Sequence, residues 1–235
     1  MPSIQFRDLA EMDYKKAWDI QESLFAALTQ HKYNDQTHHG SNYPDGYLLF
    51  VEHPHVFTLG KSGEVSNLLV NEEVLQQHGA SFYRINRGGD ITYHGPGQIV
   101  GYPILNLQAF GFGIRDYVFA LEQVIINTLE HIGIASGRIE GASGVWLETG
   151  KTTHQRKICA IGVRASRGIT MHGFAFNVNT DLSFYRLINP CGFTDRGVTS
   201  VEQETGKKAD VETIKSMLKA EFAAVFKSEI IDGLT

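Results

Sequence analysis

The sequence predicts an α+β fold in a single domain, on three observations. Apolar runs of strand length recur through the middle of the chain, bounded by Gly, Pro and Asn. Amphipathic helical patterns stand near both ends and once between the strands. No repeat, low-complexity tract or linker interrupts the 235 residues, a length suited to one large core.

Taken in order, Tyr14, Trp18, Phe25 and Leu28 recur at helical spacing and predict a helix over 12–30 with that stripe turned inward. Residues 31–45, with His38, His39, Gly40 and Pro44, read as a loop, and no Cys or carboxylate cluster completes a metal site with its histidines at ligand spacing. An apolar run predicts a strand over 47–52, and the His53-Pro54-His55 that follows reads as loop and edge structure. Strands are predicted over 81–85 and 99–107. Pro103 has no N–H for a ladder, so the second belongs at an edge or carries a bulge. Val118, Leu121, Ile125, Leu129 and Ile132 mark a helix packed on the sheet. Further strands follow over 145–147, 158–163 and 171–178, the last two joined through 164–168, and Ile214, Leu218, Phe222 and Val225 mark a closing helix. Such a mixed or antiparallel meander with flanking helices is the α+β pattern.

Apolar residues make up 42% and charged residues 20%, the balance of an ordinary globular protein. Two cysteines exclude a disulfide framework and leave each thiol free in a reducing compartment. No basic segment followed by an apolar run opens the chain, and no stretch nears the roughly 18 apolar residues of a span, so a cytoplasmic location and no membrane partner are expected. A net charge of −5 argues against a nucleic-acid partner. Within 84–196, however, eleven Lys/Arg face eight Asp/Glu, a net +3 that suits an acidic partner. Reversing Arg164 or Arg167 is then expected to weaken docking.

Chemistry concentrates in the run Arg87-Gly88-Gly89-Asp90-Ile91-Thr92-Tyr93-His94-Gly95-Pro96-Gly97-Gln98. Paired glycines admit a ligand close to the backbone, and Gly-Pro-Gly imposes a sharp turn. His94 on this loop is placed to donate a hydrogen bond, to shuttle a proton or to brace the turn. Cys191, between Pro190 and Gly192, is a thiol presented by an irregular loop and a candidate nucleophile; it needs a nearby cation or base to become thiolate. Lys157 opens an otherwise apolar strand and is the candidate cation. Strand alternation also puts Cys159 on the face of Lys157, a rival nucleophile whose apolar setting argues for packing instead.

Together, Arg-Gly-Gly-x-x-Thr-x-His-Gly-Pro-Gly-Gln at 87–98, Lys-Ile-x-Ala-Ile-Gly at 157–162, His-Gly-Phe-Ala-x-Asn at 172–177 and Asn-Pro-Cys-Gly at 189–192 resemble the octanoyltransferases of lipoate synthesis, the lipoate-protein ligase B family. Glu-His-Pro-x-Val-Phe-Thr-Leu-Gly at 52–60 fits as well, and the resemblance runs over about 12–203. Asp90 stands where many members carry Gln, and Cys159 where a small residue is usual. The resemblance implies a biotin/lipoate-protein ligase-like fold, with 1–235 as one catalytic domain. It implies transfer of an octanoyl group from acyl carrier protein to a lysine of lipoyl domains in 2-oxoacid dehydrogenase complexes and of glycine cleavage H protein. The route is a thioester on Cys191, with Lys157 and His94 assisting. The backbone of 87–94 (Arg87, Gly88, Gly89, Asp90, Ile91, Thr92, Tyr93, His94), with Ala160, Ile161, Gly162, Gly173, Phe174 and Ala175, would line the acyl pocket. No metal or cofactor is needed, because thioester exchange is near balance and amide formation is downhill. A monomer is expected. The same fold serves ATP-dependent lipoate and biotin ligases, the alternative activity, which need no cysteine in such a loop.

Overall fold

The computed structural model describes residues 1–35, 43–150, 154–189 and 197–233. Readings that fall on His38, His39 and Cys191 lie outside these residues.

A large mixed sheet carries the molecule. Its strands are β1 (Ser3–Glu11), β2 (Gly46–Glu52), β6 (Gln98–Leu105), β7 (Gly137–Ile139), β8 (Ala142–Leu147), β9 (Arg156–Ser166), β10 (Ile169–Asn177), β11 (Gly197–Val198) and β12 (Glu229–Asp232). They are ordered β12-β1-β2-β6-β10-β9-β8-β7, with β11 added beside β9. β12 and β2 run parallel to β1, whereas β2–β6, β6–β10, β10–β9 and β9–β8 are antiparallel. A small sheet of β3 (Val56–Leu59), β4 (Ser81–Arg84) and β5 (Ile91–His94), ordered β4-β3-β5, stands apart from it.

Helices cover both faces of the large sheet. α1 (Tyr14–Asp35) lies on one face, where Ala17 and Leu28 meet Tyr47, Leu49, Val51, Val100, Ile104 and Ala175. α3 (Ile114–His131) and α5 (Val211–Phe226) share the other, where Leu121, Val124, Leu129, Leu218 and Phe222 close over Leu48, Phe50, Ile99, Val145 and Phe176. The shorter α2 (Glu72–Gln77) and α4 (Val201–Thr205) are capped by Asn71 and Ser200, whose side chains accept the Val74 and Gln203 N–H groups. β2, β6 and β10 are buried on both faces, which is why they read as largely apolar runs without strict alternation, with Gln98, Thr170, His172 and Asn177 as buried polar members.

Several expectations are corrected. The first helix runs to Asp35, so the loop begins later than position 31. Its buried line is Tyr14, Ala17, Gln21 and Leu28, while Trp18 and Phe25 sit at its margin; a fully buried Gln21 does not read as core in a sequence. The strand holding Pro103 is central rather than marginal. Pro103 interrupts only its β10 side, where the ladder covers Gln98 to Gly101 and stops. There the Thr170 hydroxyl donates to Pro103 O (2.9 Å) and accepts from Leu105 N (2.9 Å), standing in for the missing ladder bonds. The 87–98 run is not one loop, since Ile91 to His94 pair with β3 as a strand. β1 and β12, partly exposed and short of apolar residues, carried no signal strong enough to read.

Candidate active site

A cavity of about 500 Å3 lies between the large sheet and the glycine-rich segment. Its floor is built from small residues at paired positions of neighbouring strands: Ala160 opposite Ala175 and Gly162 opposite Gly173. A Cβ on Gly162 would stand 3.0 Å from both Arg87 Cδ and Gly88 O, so any larger residue there enters the space that the roof already uses. Ile161, Val163, Phe174 and Val100 add apolar surface. Along β9 the rise of about 3.3 Å per residue separates Lys157 from Gly162 by roughly 16 Å, giving the cavity the shape of a trough.

The roof is Arg87 to Thr92. It is pinned by Gly60 N–H to Asp90 O (3.3 Å), Lys61 N–H to Arg87 O (3.0 Å), Ser62 N–H to Gly89 O (3.2 Å) and Gly88 N–H to Val163 O (2.9 Å). Gly89 takes φ 85°, a conformation that costs other residues energy. The Arg87 guanidinium, buried, donates to Thr58 O (2.7 Å), Thr58 Oγ1 (3.0 Å) and Gly88 O (3.0 Å). Asp90 accepts from Asn67 Nδ2 (2.7 Å) and Ile91 N (2.6 Å), and Asn67 O in turn accepts from Asn189 N (2.8 Å).

His94 lines the cavity from β5 and is part of a buried chain of hydrogen bonds. Gln98 Nε2 donates to Asn177 Oδ1 (2.8 Å) and Tyr93 O (3.2 Å), so Gln98 Oε1 accepts from His94 Nδ1–H (2.8 Å). Nε2 then faces the Thr58 hydroxyl (3.3 Å) as acceptor. Asn177 Nδ2 continues the chain to Thr199 O (3.0 Å). Burial, and next the neighbouring His53, hold the His94 pKa down at about 3, with the Gln98 bond opposing. Burial thus favours the neutral imidazole of His94 at pH 7. His172 is held at about 3 by burial and by the Arg87 and Arg164 guanidiniums, and His53 at about 4 by burial. His55 stacks on Phe184 and meets the Tyr93 hydroxyl (2.7 Å).

Lys157 stands at the other end of the trough. Its backbone is held between two strands, opposite Trp146 of β8 and Val198 of β11, and its carbonyl accepts from Thr199 N (2.9 Å). The described ends of 190–196 thus attach at Asn189, tied to Asn67, and at Gly197, tied to Gln155 O (3.0 Å). Cys159 is on the other side of the sheet. The β8–β9 register shifts between Val145/Cys159 and Trp146/Lys157, and this irregularity breaks the alternation that would have put both side chains on one face. Cys159 is fully buried in the core, and burial drives its thiol far above its usual pKa, against the opposing charge of Lys157.

Of the residues singled out in the sequence, Arg87 to Thr92, His94, Lys157, Ala160, Ile161, Gly162, Gly173, Phe174 and Ala175 line this one cavity. Tyr93 does not: the period of two in β5 turns its ring into the small core with Phe57 and Phe184. Cys191 lies outside the described residues. Tyr14, Tyr102, His172 and Trp146 also line the cavity and were not anticipated as site residues; each reads as an ordinary member of a helix or strand. Several charges of the +3 stretch are internally paired. Arg138, Arg156 and Arg164 are paired with Glu122, Glu204 and Glu22. Arg164 is near the end of β9 remote from Lys157 and lies over the Phe25 ring, and Arg167 is in the turn that follows β9. Among the described residues no group of three or more His, Cys, Asp or Glu is placed to hold a metal, and no helix is long and apolar enough to cross a membrane.

Residues 13–223 match the lipoyl protein ligase A/B catalytic domain. An octanoyltransferase of Flavobacterium johnsoniae is 52% identical over 229 residues, covering 97% of this chain and 98% of its own. One of Bacteroides fragilis is 50% identical over 216 residues, covering 92% and 95%. Among solved structures, the bipartite lipoate protein ligase of Thermoplasma acidophilum superposes with a TM-score of 0.69 at 14% identity, covering 100% of this chain and 88% of the other. The biotin protein ligase of Aquifex aeolicus gives 0.53 at 15%, covering 95% and 70%. The two structural likenesses establish the ligase-type fold that the sequence predicted, and the two sequence relatives establish kinship. The chain belongs to the lipoyl protein ligase A/B catalytic-domain family, among its octanoyltransferases.

Proposed function

We propose that this chain is a single catalytic domain that moves an octanoyl group from the pantetheine thiol of acyl carrier protein to a lysine of a lipoyl domain, through a thioester on Cys191. The observation that carries the reading is the trough: a floor of Ala160, Gly162, Gly173 and Ala175 under a pinned glycine roof, with Lys157 lining it and paired with β11, the strand that follows 190–196. Burying acyl methylenes there contributes about 0.8 kcal/mol each.

In the first half-reaction Lys157 takes the Cys191 proton, and the thiolate attacks the donor carbonyl. The bond from that carbonyl to the pantetheine sulfur breaks, and the leaving thiolate recovers the proton from the Lys157 ammonium. In the second half the acceptor amine attacks the Cys191 thioester, the carbon–sulfur bond breaks, an amide forms, and neutral Lys157 accepts the proton. His94, neutral in its chain from Thr58 to Asn177, braces the roof against the strand leading to Thr199. Neither half requires a nucleotide, a metal or another cofactor.

Mass spectrometry of the purified chain mixed with octanoyl acyl carrier protein, without ATP, tests this. One hydroxylamine-labile octanoyl group on Cys191, moving to a lipoyl-domain lysine and absent from Cys191→Ser, is the expected result. Acylation that appears only with ATP and free octanoate would replace the reading with the ligase activity. Modification of Cys159 would move the nucleophile.

A further inference from the structure

Trp146 belongs to β8, where it pairs in register with Lys157, and its indole lines the cavity although the residue is only 2% exposed. The indole is fixed at its edge by Nε1–H donating to Ala142 O (3.0 Å). Lys157 Nζ stands 4.6 Å from the ring centroid, within the range in which an ammonium is attracted to an aromatic face. The lysine stem is guided there by Gly144: a Cβ at that position would lie 3.5 Å from Lys157 Cδ and Cε and 2.4 Å from Cys159 O. Gly144 is itself held by its N–H donating to Glu122 Oε1 (3.0 Å), on α3, whose other oxygen accepts from Arg138 Nε (2.8 Å). Backbone register, a glycine that leaves room for the stem and an anchored indole therefore converge on the place of one ammonium.

We infer that Trp146 is a positioning residue for Lys157, whose indole face holds the ammonium at the mouth of the trough and favours its cationic form. The inference rests on the reading of Lys157 as the group that activates Cys191. Among the described residues, titratable or charged groups facing this region include Cys159 on β9, Glu122 on α3 with its Arg138 partner, and Tyr185 at the cavity wall. Arg156, the preceding residue, is engaged by Glu204 of α4. Trp146→Leu and Trp146→Phe leave all of these in place.

The test follows the pKa of Lys157 by NMR of 13Cε-labelled lysine, with its resonance assigned through Lys157→Arg, and the pH dependence of Cys191 alkylation by iodoacetamide. Removing the ring face lowers the Lys157 pKa, by roughly 0.4 to 1.5 units in Trp146→Leu and by less in Trp146→Phe. Cys191 alkylation at neutral pH slows in the same order, because an ammonium no longer seated on the ring face is held less firmly where it stabilises the thiolate. A Lys157 pKa that rises on removal of the ring would make Trp146 a mere shield from water and overturn the inference, and an unchanged pKa would do the same. If Trp146→Leu does not fold, Trp146→Phe decides alone on those criteria. A lowered Lys157 pKa with unaltered Cys191 alkylation would uphold the role of Trp146 and instead remove the link between Lys157 and Cys191.

Discussion

Lowering the pH should unfold this protein through three histidines before its carboxylates matter. His94 and His172 are held at about 3 and His53 at about 4, each first by burial, against about 6.5 in an unfolded chain. The sign follows from where the protons bind. A folded-state pKa below the unfolded one means that the unfolded chain binds protons that the folded one refuses, so stability is complete above about pH 6.5 and is lost as pH falls toward 4. Within that window each histidine removes about 1.4 kcal/mol per pH unit, and the three together about 4. Between pH 7 and pH 5 the loss is about 6 kcal/mol, comparable to the whole stability of many domains, about 5 to 15 kcal/mol. The lowered carboxylates, Glu204 held by Arg156, Glu221 by His131 and Asp181 by Ser183, act in the same direction, but only below about pH 4.5. Urea unfolding followed by tryptophan fluorescence at pH 7, 6 and 5 gives the slope directly. His94→Gln, less stable at pH 7, should show a slope smaller by one proton's worth. A stability that stays level from pH 7 to 5, or a slope unaltered in His94→Gln, would refute the reasoning.

Other substitutions probe the trough. Gly162→Leu fills the floor beneath Arg87 and Gly88, so octanoyl transfer should fall by at least a hundredfold while a two-carbon acyl donor loses less; competition between acyl donors measures the ratio, and equal losses would count against the trough. Arg87→Met leaves the Thr58 and Gly88 carbonyls without their donor at about 1 to 3 kcal/mol per buried group. Its thermal midpoint should drop by about 4 °C or more, read by calorimetry. Asn67→Ala removes the donor to Asp90; acylation of Cys191 should slow with little change in the midpoint, and a rate equal to that of the unaltered protein would show that this tie does not matter.

Much of the site is legible in the sequence because its residues come in short runs. Glycine and proline in 87–98 are local requirements of close backbone approach and leave a local pattern, while 160–162 and 173–175 are legible through motifs shared with the family. The α+β class and the apolar faces of α3 and α5 are legible for the same reason, since periodicity is a property of contiguous residues. β1, β12 and β11 are not. Each is short or half exposed, and exists by pairing with a strand far away in sequence. Gln21 reads as solvent-facing, yet its Oε1 accepts the His172 N–H (3.1 Å) from across the fold.

What the sequence determined by itself is the class of fold, the small glycine and alanine residues that stand in short runs and the presence of a lysine and two thiols. Only the tertiary structure decided how these are divided. One shift of register between β8 and β9 sends Lys157 to the cavity and Cys159 into the core, against strict alternation. Burial in turn holds His94, whose role the sequence left open between donor, shuttle and brace, in its neutral form within a chain of hydrogen bonds. Both outcomes depend on what surrounds a residue in space, and a side chain's face and its ionisation are set by those neighbours rather than by the residues next to it in the chain.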